Sequence, residues 1–175
     1  DFCILEYPFA FWQWGTSFEK IPALDSSNQT LIDHLIEMAD PSYFSDQSPY
    51  VPFDVQALRE LGYYGYDIRP YKKYFTLKTS KNYLCKLMVP KELEGIQFDK
   101  TLYKKTRKFL LENDPKMIYI YGGNDPWSAS GVTDPRYFKN KKNLKLYIQP
   151  GGSHRARIQN MPDSLRTEII NQIHL

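Results

Sequence analysis

The segments YIYGGNDPWS (residues 119–128) and GGSHRAR (residues 151–157) decide how this sequence folds. In the first, a run of β-branched and aromatic residues ends in a Gly-Gly turn that carries Asp125. In the second, the turn that carries His154 follows another apolar run, LKLYIQ (residues 144–149). The two side chains are 29 residues apart, which leaves room for one crossover. We therefore expect two neighbouring parallel strands, with Asp125 and His154 on the turns that follow them.

An acid and a base at the ends of neighbouring parallel strands are the arrangement of a serine-hydrolase triad, in the chain order Ser, Asp, His. Either residue alone is a weak signal, because Asn-Asp-Pro is also ordinary turn chemistry. His34 and His174 are interpreted as ordinary residues without a catalytic role, the first on a helix and the second at the end of the chain. No Gly-x-Ser-x-Gly motif occurs in the sequence, and it opens at Asp1 without an initiator Met. We expect the C-terminal part of a larger enzyme, with the nucleophile elsewhere.

The length is enough for one domain with a hydrophobic core, and the composition is that of an ordinary globular protein but argues against some functions. The net charge of +3 is too small, and the acidic residues too evenly mixed in, to favour nucleic-acid binding. No apolar window is long enough for a membrane span. The two cysteines, Cys3 and Cys85, are too few for a structural zinc site, and whether they pair is left open. The 14 Tyr and 10 Phe residues indicate aromatic-lined surfaces or pockets.

Hydrophobic periodicity divides the chain into two parts of different character. Residues 1–112 are predicted to be a partial helical cap, and residues 113–175 a strand-crossover-strand-helix part of an α/β core. The pattern predicts helices over 28–39, 53–64, 99–112 and 163–174. It predicts strands over 116–121 and 143–149. A loop is predicted over 41–53, and the crossover between the strands begins at 128–132. Since two strands do not make a stable open sheet, the pattern also predicts partner strands outside these residues.

The same motifs resemble a known family. GGNDPWSASGV (residues 122–132) and GGSHRARI (residues 151–158) are similar to the bacterial secreted tripeptidyl aminopeptidases, a family of serine peptidases. They are more distantly similar to the lysosomal Pro-X carboxypeptidase and dipeptidyl peptidase group. EYPFAFWQWG (residues 6–15) and QALRELGYYG (residues 56–65) resemble cap segments of the family, so the resemblance covers nearly the whole chain.

The resemblance implies an α/β-hydrolase fold with a helical lid that removes short peptides from free N-termini, and no metal or organic cofactor. It implies Asp125 as the triad acid and His154 as the triad base, with the missing N-terminal half of the enzyme as a partner. It also implies export to the periplasm or outside the cell. The chain departs from the lysosomal group after the base, where the residues 155–157 replace a second His and an Asp.

An aminopeptidase needs acceptors for the α-ammonium group of its substrate. Glu60, followed by Tyr63 and Tyr64, is the candidate, and the alternative is an ordinary surface ion pair along the helix. Trp12, Trp14 and Trp127 are candidates for lining the substrate pocket, and core or lid packing is the alternative.

Two other functions fit the same residues. One is an α/β-hydrolase esterase or lipase with the same triad and a different pocket. The other is a non-catalytic binding module, in which Asp125 and His154 are ordinary turn residues.

Overall fold

The computed structural model describes residues 1–93 and 95–174. It contains five α-helices and two strands: α1 Phe2–Gln13, α2 Asn28–Met38, α3 Val51–Gln56, α4 Thr101–Glu112, β1 Met117–Gly122, β2 Leu144–Gln149 and α5 Asp163–Ile173. Short 3-10 turns and two π-helical turns, Ala57–Leu61 and Leu84–Met88, account for most of the remaining ordered backbone. Mixed helices with a parallel strand pair are compatible with the predicted α/β class.

The chain forms two compact units. The first contains Asp1–Pro8 and Ile21–Arg107, and the second contains Phe9–Lys20 and Lys108–Leu175. The segment 9–20 thus belongs to the same unit as the two strands. The assignment of residues 1–112 to a cap and 113–175 to a hydrolase core stays a prediction.

The first unit is helical and rich in aromatic residues. Its helix α2 begins where the sequence predicts, because Ser27 accepts a hydrogen bond from the Thr30 backbone N–H as an N-cap. Its buried apolar side chains are Leu5, Ala39, Ala57, Tyr66, Phe75, Tyr83, Leu84, Met88 and Val89. The Asp99 carboxylate accepts the Thr101 N–H at 2.8 Å at the start of α4, as expected of a capping residue.

The helix predicted over 53–64 is wrong at both ends. It begins at Val51, inside the predicted loop, and its last part is the π-helical turn Ala57–Leu61. Gly62 then adopts a φ of 79°, a conformation that stops the helix and that favours glycine. Tyr63 and Tyr64 consequently lie beyond the helix.

The second unit contains the parallel pair β1 and β2, in register from Met117 opposite Leu144 to Gly122 opposite Gln149. Both strands lie within one residue of their predicted bounds, and α5 ends at Ile173. The predicted crossover begins with the 3-10 turn Pro126–Ser130. The core of the unit contains Tyr147, Met161 and Ile169, against which Ile118, Ile120, Ile158 and Leu165 pack.

One carboxylate fixes the start of β2. Asp114 precedes β1 and accepts the backbone N–H groups of Lys142, Asn143 and Leu144 at 2.8 to 3.0 Å. These bonds, with that from Lys142 first, lower the pKa of Asp114 below its ordinary value. The beginnings of the two strands are therefore joined by a side chain as well as by the ladder.

Among residues 1–93 and 95–174, none of the helices has the length and apolar character needed to cross a membrane.

Candidate active site

The two Gly-Gly turns are tied to a single backbone carbonyl. Gln149, the last residue of β2, accepts the N–H of Gly123 at 2.9 Å and the N–H of Gly152 at 3.0 Å. The Asn124 N–H donates to the Gly152 carbonyl at 2.8 Å. The turn after β1 and the turn after β2 are thus bonded directly to each other, and the residues that follow are brought close together.

Asp125 and His154 are among the residues brought together. The Nδ1 atom of His154 lies 2.7 Å from the Oδ2 atom of Asp125. The other carboxylate oxygen of Asp125 accepts the Trp127 N–H at 3.1 Å. Because a carboxylate can only accept, the proton of this hydrogen bond lies on Nδ1, which leaves the lone pair on Nε2. This is the tautomer that a general base needs.

The burial of the pair is unequal. The Asp125 side chain is 4% exposed, whereas the His154 side chain is 44% exposed. The arrangement is a buried acid that orients a base, with the base accessible to another group.

The segment 9–20 supports the base from another side. The His154 N–H donates to the Gln13 carbonyl at 2.8 Å, and the Trp14 ring contacts the imidazole edge-on, with centroids 5.9 Å apart. Gly15 has a φ of 72°, and a Cβ atom there would lie 3.1 Å from the Ser153 side chain. This close approach requires a small residue at position 15.

Side chains that follow His154 form hydrogen bonds with backbone groups of the same loop. The Arg157 guanidinium donates to the carbonyls of His154 at 3.0 Å and Ala156 at 2.7 Å. Asn160 accepts the Arg157 N–H and donates to the Arg155 carbonyl. The sequence Arg-Ala-Arg at 155–157 therefore contributes to the shape of the loop.

Of the predicted substrate-binding residues, Trp127 lies near the pair. Its ring centroid is 6.4 Å from that of His154, and its side chain is half-buried. Trp14, which is 48% exposed, contacts the same imidazole. Trp14 is a candidate pocket residue from the sequence, and the fold shows its contact with His154.

The other predicted substrate-binding residues, Glu60, Tyr63 and Tyr64, lie in the first unit. Tyr63 stacks on Tyr64 with centroids 4.5 Å apart. The Glu60 carboxylate lies 4.0 Å from the Arg59 Nε atom and is 39% exposed, which is a weak surface contact. A role of Glu60 in substrate binding stays a prediction. The Tyr64 hydroxyl donates to a different carboxylate, that of Glu6, at 2.7 Å.

Glu6 is the residue that sequence reasoning missed. It accepts hydrogen bonds from both Tyr64 and Tyr66, which are 58 and 60 residues away. No local pattern connects residues at that separation, so nothing in the sequence points to this contact.

Comparison with known proteins gives one relationship of interest. The chain is 22% identical over 162 residues to the prolyl tri/tetrapeptidyl aminopeptidase of Streptomyces mobaraensis, and the alignment covers 89% of this chain. It covers 32% of the aminopeptidase, so the chain spans about a third of the length of that relative. No protein-family model matches the chain, and no solved structure matches it. The alignment supports a distant relationship to that aminopeptidase.

Proposed function

We propose that this chain carries the acid and the base of a serine exopeptidase of the tripeptidyl aminopeptidase type, within an α/β-hydrolase fold. The observation that carries the proposal is the 2.7 Å hydrogen bond between the buried Asp125 and the half-exposed His154, on turns that follow neighbouring parallel strands. The distant relationship to an aminopeptidase supports the same reading.

In the proposed mechanism, the Nε2 atom of His154 accepts the proton of a serine hydroxyl as the oxygen attacks the peptide carbonyl. The nucleophilic serine belongs to a segment outside these 175 residues, the N-terminal half of the same enzyme. Asp125 accepts a hydrogen bond from the Nδ1–H group throughout, holds the ring in one orientation and stabilises the imidazolium that forms. His154 then returns the proton to the leaving amine, and a water molecule repeats the cycle on the acyl-enzyme.

The low exposure of Asp125 bears on this role. A carboxylate removed from water interacts with an adjacent imidazolium more strongly than an exposed one does. The bond from the Trp127 N–H supplies part of the solvation that Asp125 loses. The site therefore combines a buried acid with a base that another group can reach.

The proposed substrates are peptides with a free N-terminus, from which short peptides are released. Trp127, Glu60, Tyr63 and Tyr64 remain the sequence-based candidates for substrate binding. Export to the periplasm or out of the cell belongs to the same proposal.

Two experiments test the proposal. The 175-residue chain alone should show no burst of acyl product and no labelling by a fluorophosphonate, because the nucleophile is absent. The complete protein should take the label and hydrolyse a tripeptide amide with a free amine, but not its N-acetylated counterpart. A short-chain ester turned over regardless of any amine would indicate an esterase instead, and labelling of the isolated chain would contradict the proposed division of the triad.

A further inference from the structure

The first unit contains a group of tyrosines arranged around one carboxylate oxygen. The hydroxyls of Tyr64 and Tyr66 both donate to Glu6 Oε2, at 2.7 and 2.6 Å. The two rings meet edge-on, with centroids 5.4 Å apart. A charged carboxylate has about four acceptor positions on its two oxygens, and these two bonds leave Oε1 available.

The rings are held firmly in place. Tyr83 packs against Tyr66 at 4.9 Å and donates its hydroxyl to the Tyr64 carbonyl at 3.2 Å. Ser80 donates to the Tyr66 carbonyl at 2.7 Å. Tyr63 covers the face of Tyr64. We call Glu6 with Tyr63, Tyr64, Tyr66 and Tyr83 the tyrosine cage.

The cage carries negative charge without a matching positive group. In the described part of the chain, neither Glu6 nor Asp54 forms an ion pair with Lys, Arg or His. Asp54 is 1% exposed, and its Oδ2 atom has no hydrogen-bond partner among the described residues. Burial raises the pKa of Tyr63 to about 12, and the charges of Asp54 and Glu6 add to the effect. Glu6 is therefore a partly buried carboxylate without a cationic partner among the described residues, which is a costly arrangement unless a cation joins it.

We propose that the tyrosine cage is a binding site for an alkylammonium group, with Glu6 Oε1 as the charged acceptor and the tyrosine rings as the walls. The cage rests on residues of the first unit alone. It rests on the proposed function only for the choice of the α-ammonium of a peptide as its ligand.

The geometry favours an ammonium group over other cations. A guanidinium binds best to both oxygens of a carboxylate, and here one oxygen is already occupied by two hydroxyls. A divalent metal ion takes six or more oxygen ligands, which one free carboxylate oxygen and phenols do not provide. An ammonium is a compact charge that needs few acceptors and gains from aromatic faces. Glu6 and Tyr64 are half-buried, so a small group can reach them.

The test is a calorimetric or NMR titration of the 175-residue chain with tri-alanine amide at about pH 7, where an α-amino group is mostly protonated. The N-acetylated peptide is the matched ligand control. We expect the free amine to bind about tenfold or more tightly than the acetylated peptide, as a hydrogen-bonded charge would give. Equal binding of the two peptides, or no binding of the free amine, would overturn the proposal.

A pair of variants locates the site. Glu6→Gln keeps the size of the side chain and removes its charge, so it should weaken the free amine about tenfold or more. Glu37→Gln makes the same change on an exposed carboxylate of α2, outside the cage, and should leave the affinity unchanged. Equal losses in the two variants, or a loss in Glu37→Gln alone, would contradict the placement of the site at Glu6. The comparison of the two peptides uses the unmodified chain, so it does not depend on the folding of a variant. Both titrations measure binding and not turnover. Failure of the cage proposal is therefore distinct from failure of the peptidase proposal.

Discussion

Gly122, the last residue of β1, packs closely against the carbonyl oxygen of Ser153, the residue that precedes His154. A Cβ atom on Gly122 would overlap this carbonyl and that of Gly152. The position of the base is thus set partly by the absence of a side chain on the strand that precedes the acid.

Replacement of Gly122 by alanine should therefore displace the 151–154 loop. Backbone carbonyls cannot move as easily as a flexible side chain, and overpacking of this kind costs about 1–3 kcal/mol. We expect a lower urea midpoint and loss of the low-field imidazole N–H resonance that the hydrogen bond to Asp125 should give. Gly65→Ala is the matched control, because no atom lies within 4 Å of a Cβ at that position. Equal midpoints for the two variants would refute the steric account.

Asp54 should make stability depend on pH. Burial raises the pKa of Asp54 from its ordinary value near 3.8 to about 6 in the folded state. The protonated form is therefore the one that the fold favours, and its contribution is fully present below about pH 4 and lost as the pH rises through 6. Between these limits the loss is on the order of 2 kcal/mol.

The variant Asp54→Asn checks this directly. It cannot ionise, so its free energy of unfolding should fall less between pH 4 and pH 7 than that of the unmodified chain. Urea titrations at several pH values measure the difference. Parallel curves for the two proteins would show that the Asp54 carboxyl is not the group responsible.

Asp114 should be needed for the β1–β2 pair. Its carboxylate accepts three consecutive backbone N–H groups at the start of β2, and alanine would leave them without that acceptor. We expect Asp114→Ala to lower the urea midpoint and to increase amide exchange at Asn143 and Leu144 before other amides of β2. Asp25→Ala, a change of an exposed aspartate in the first unit, is the control and should have little effect. Unchanged amide exchange at the start of β2 would show that Asp114 does not anchor this strand.

Local features of this fold were predictable because local interactions produce them. The strand pair follows from β-branched and aromatic runs that end in glycine turns, and α2 follows from helical spacing after Ser27. The closeness of Asp125 and His154 also follows, since the ends of adjacent parallel strands meet at one edge.

Features that depend on distant contacts were not predictable. The sequence gives no reason for the Tyr64 hydroxyl to choose Glu6 over Glu60, which lies four residues away. The burial of Asp54 is equally hidden, because an aspartate on a short helix is ordinarily exposed. The positive φ of Gly62 ends the helix that hydrophobic spacing extends to Tyr64.

Asp125 and His154 are proposed to act as one acid-base pair in peptide hydrolysis. The most direct measurement is kcat/KM of the complete protein for a tripeptide amide with a free N-terminus, compared among Asp125→Asn, His154→Ala and the control Asp163→Asn. Asp163 is paired with Arg166 at the surface, so its change should have little effect. We predict that each site variant loses on the order of 10⁴-fold in activity while folding is retained. Folded variants of Asp125 and His154 with activity close to that of the control would contradict the account.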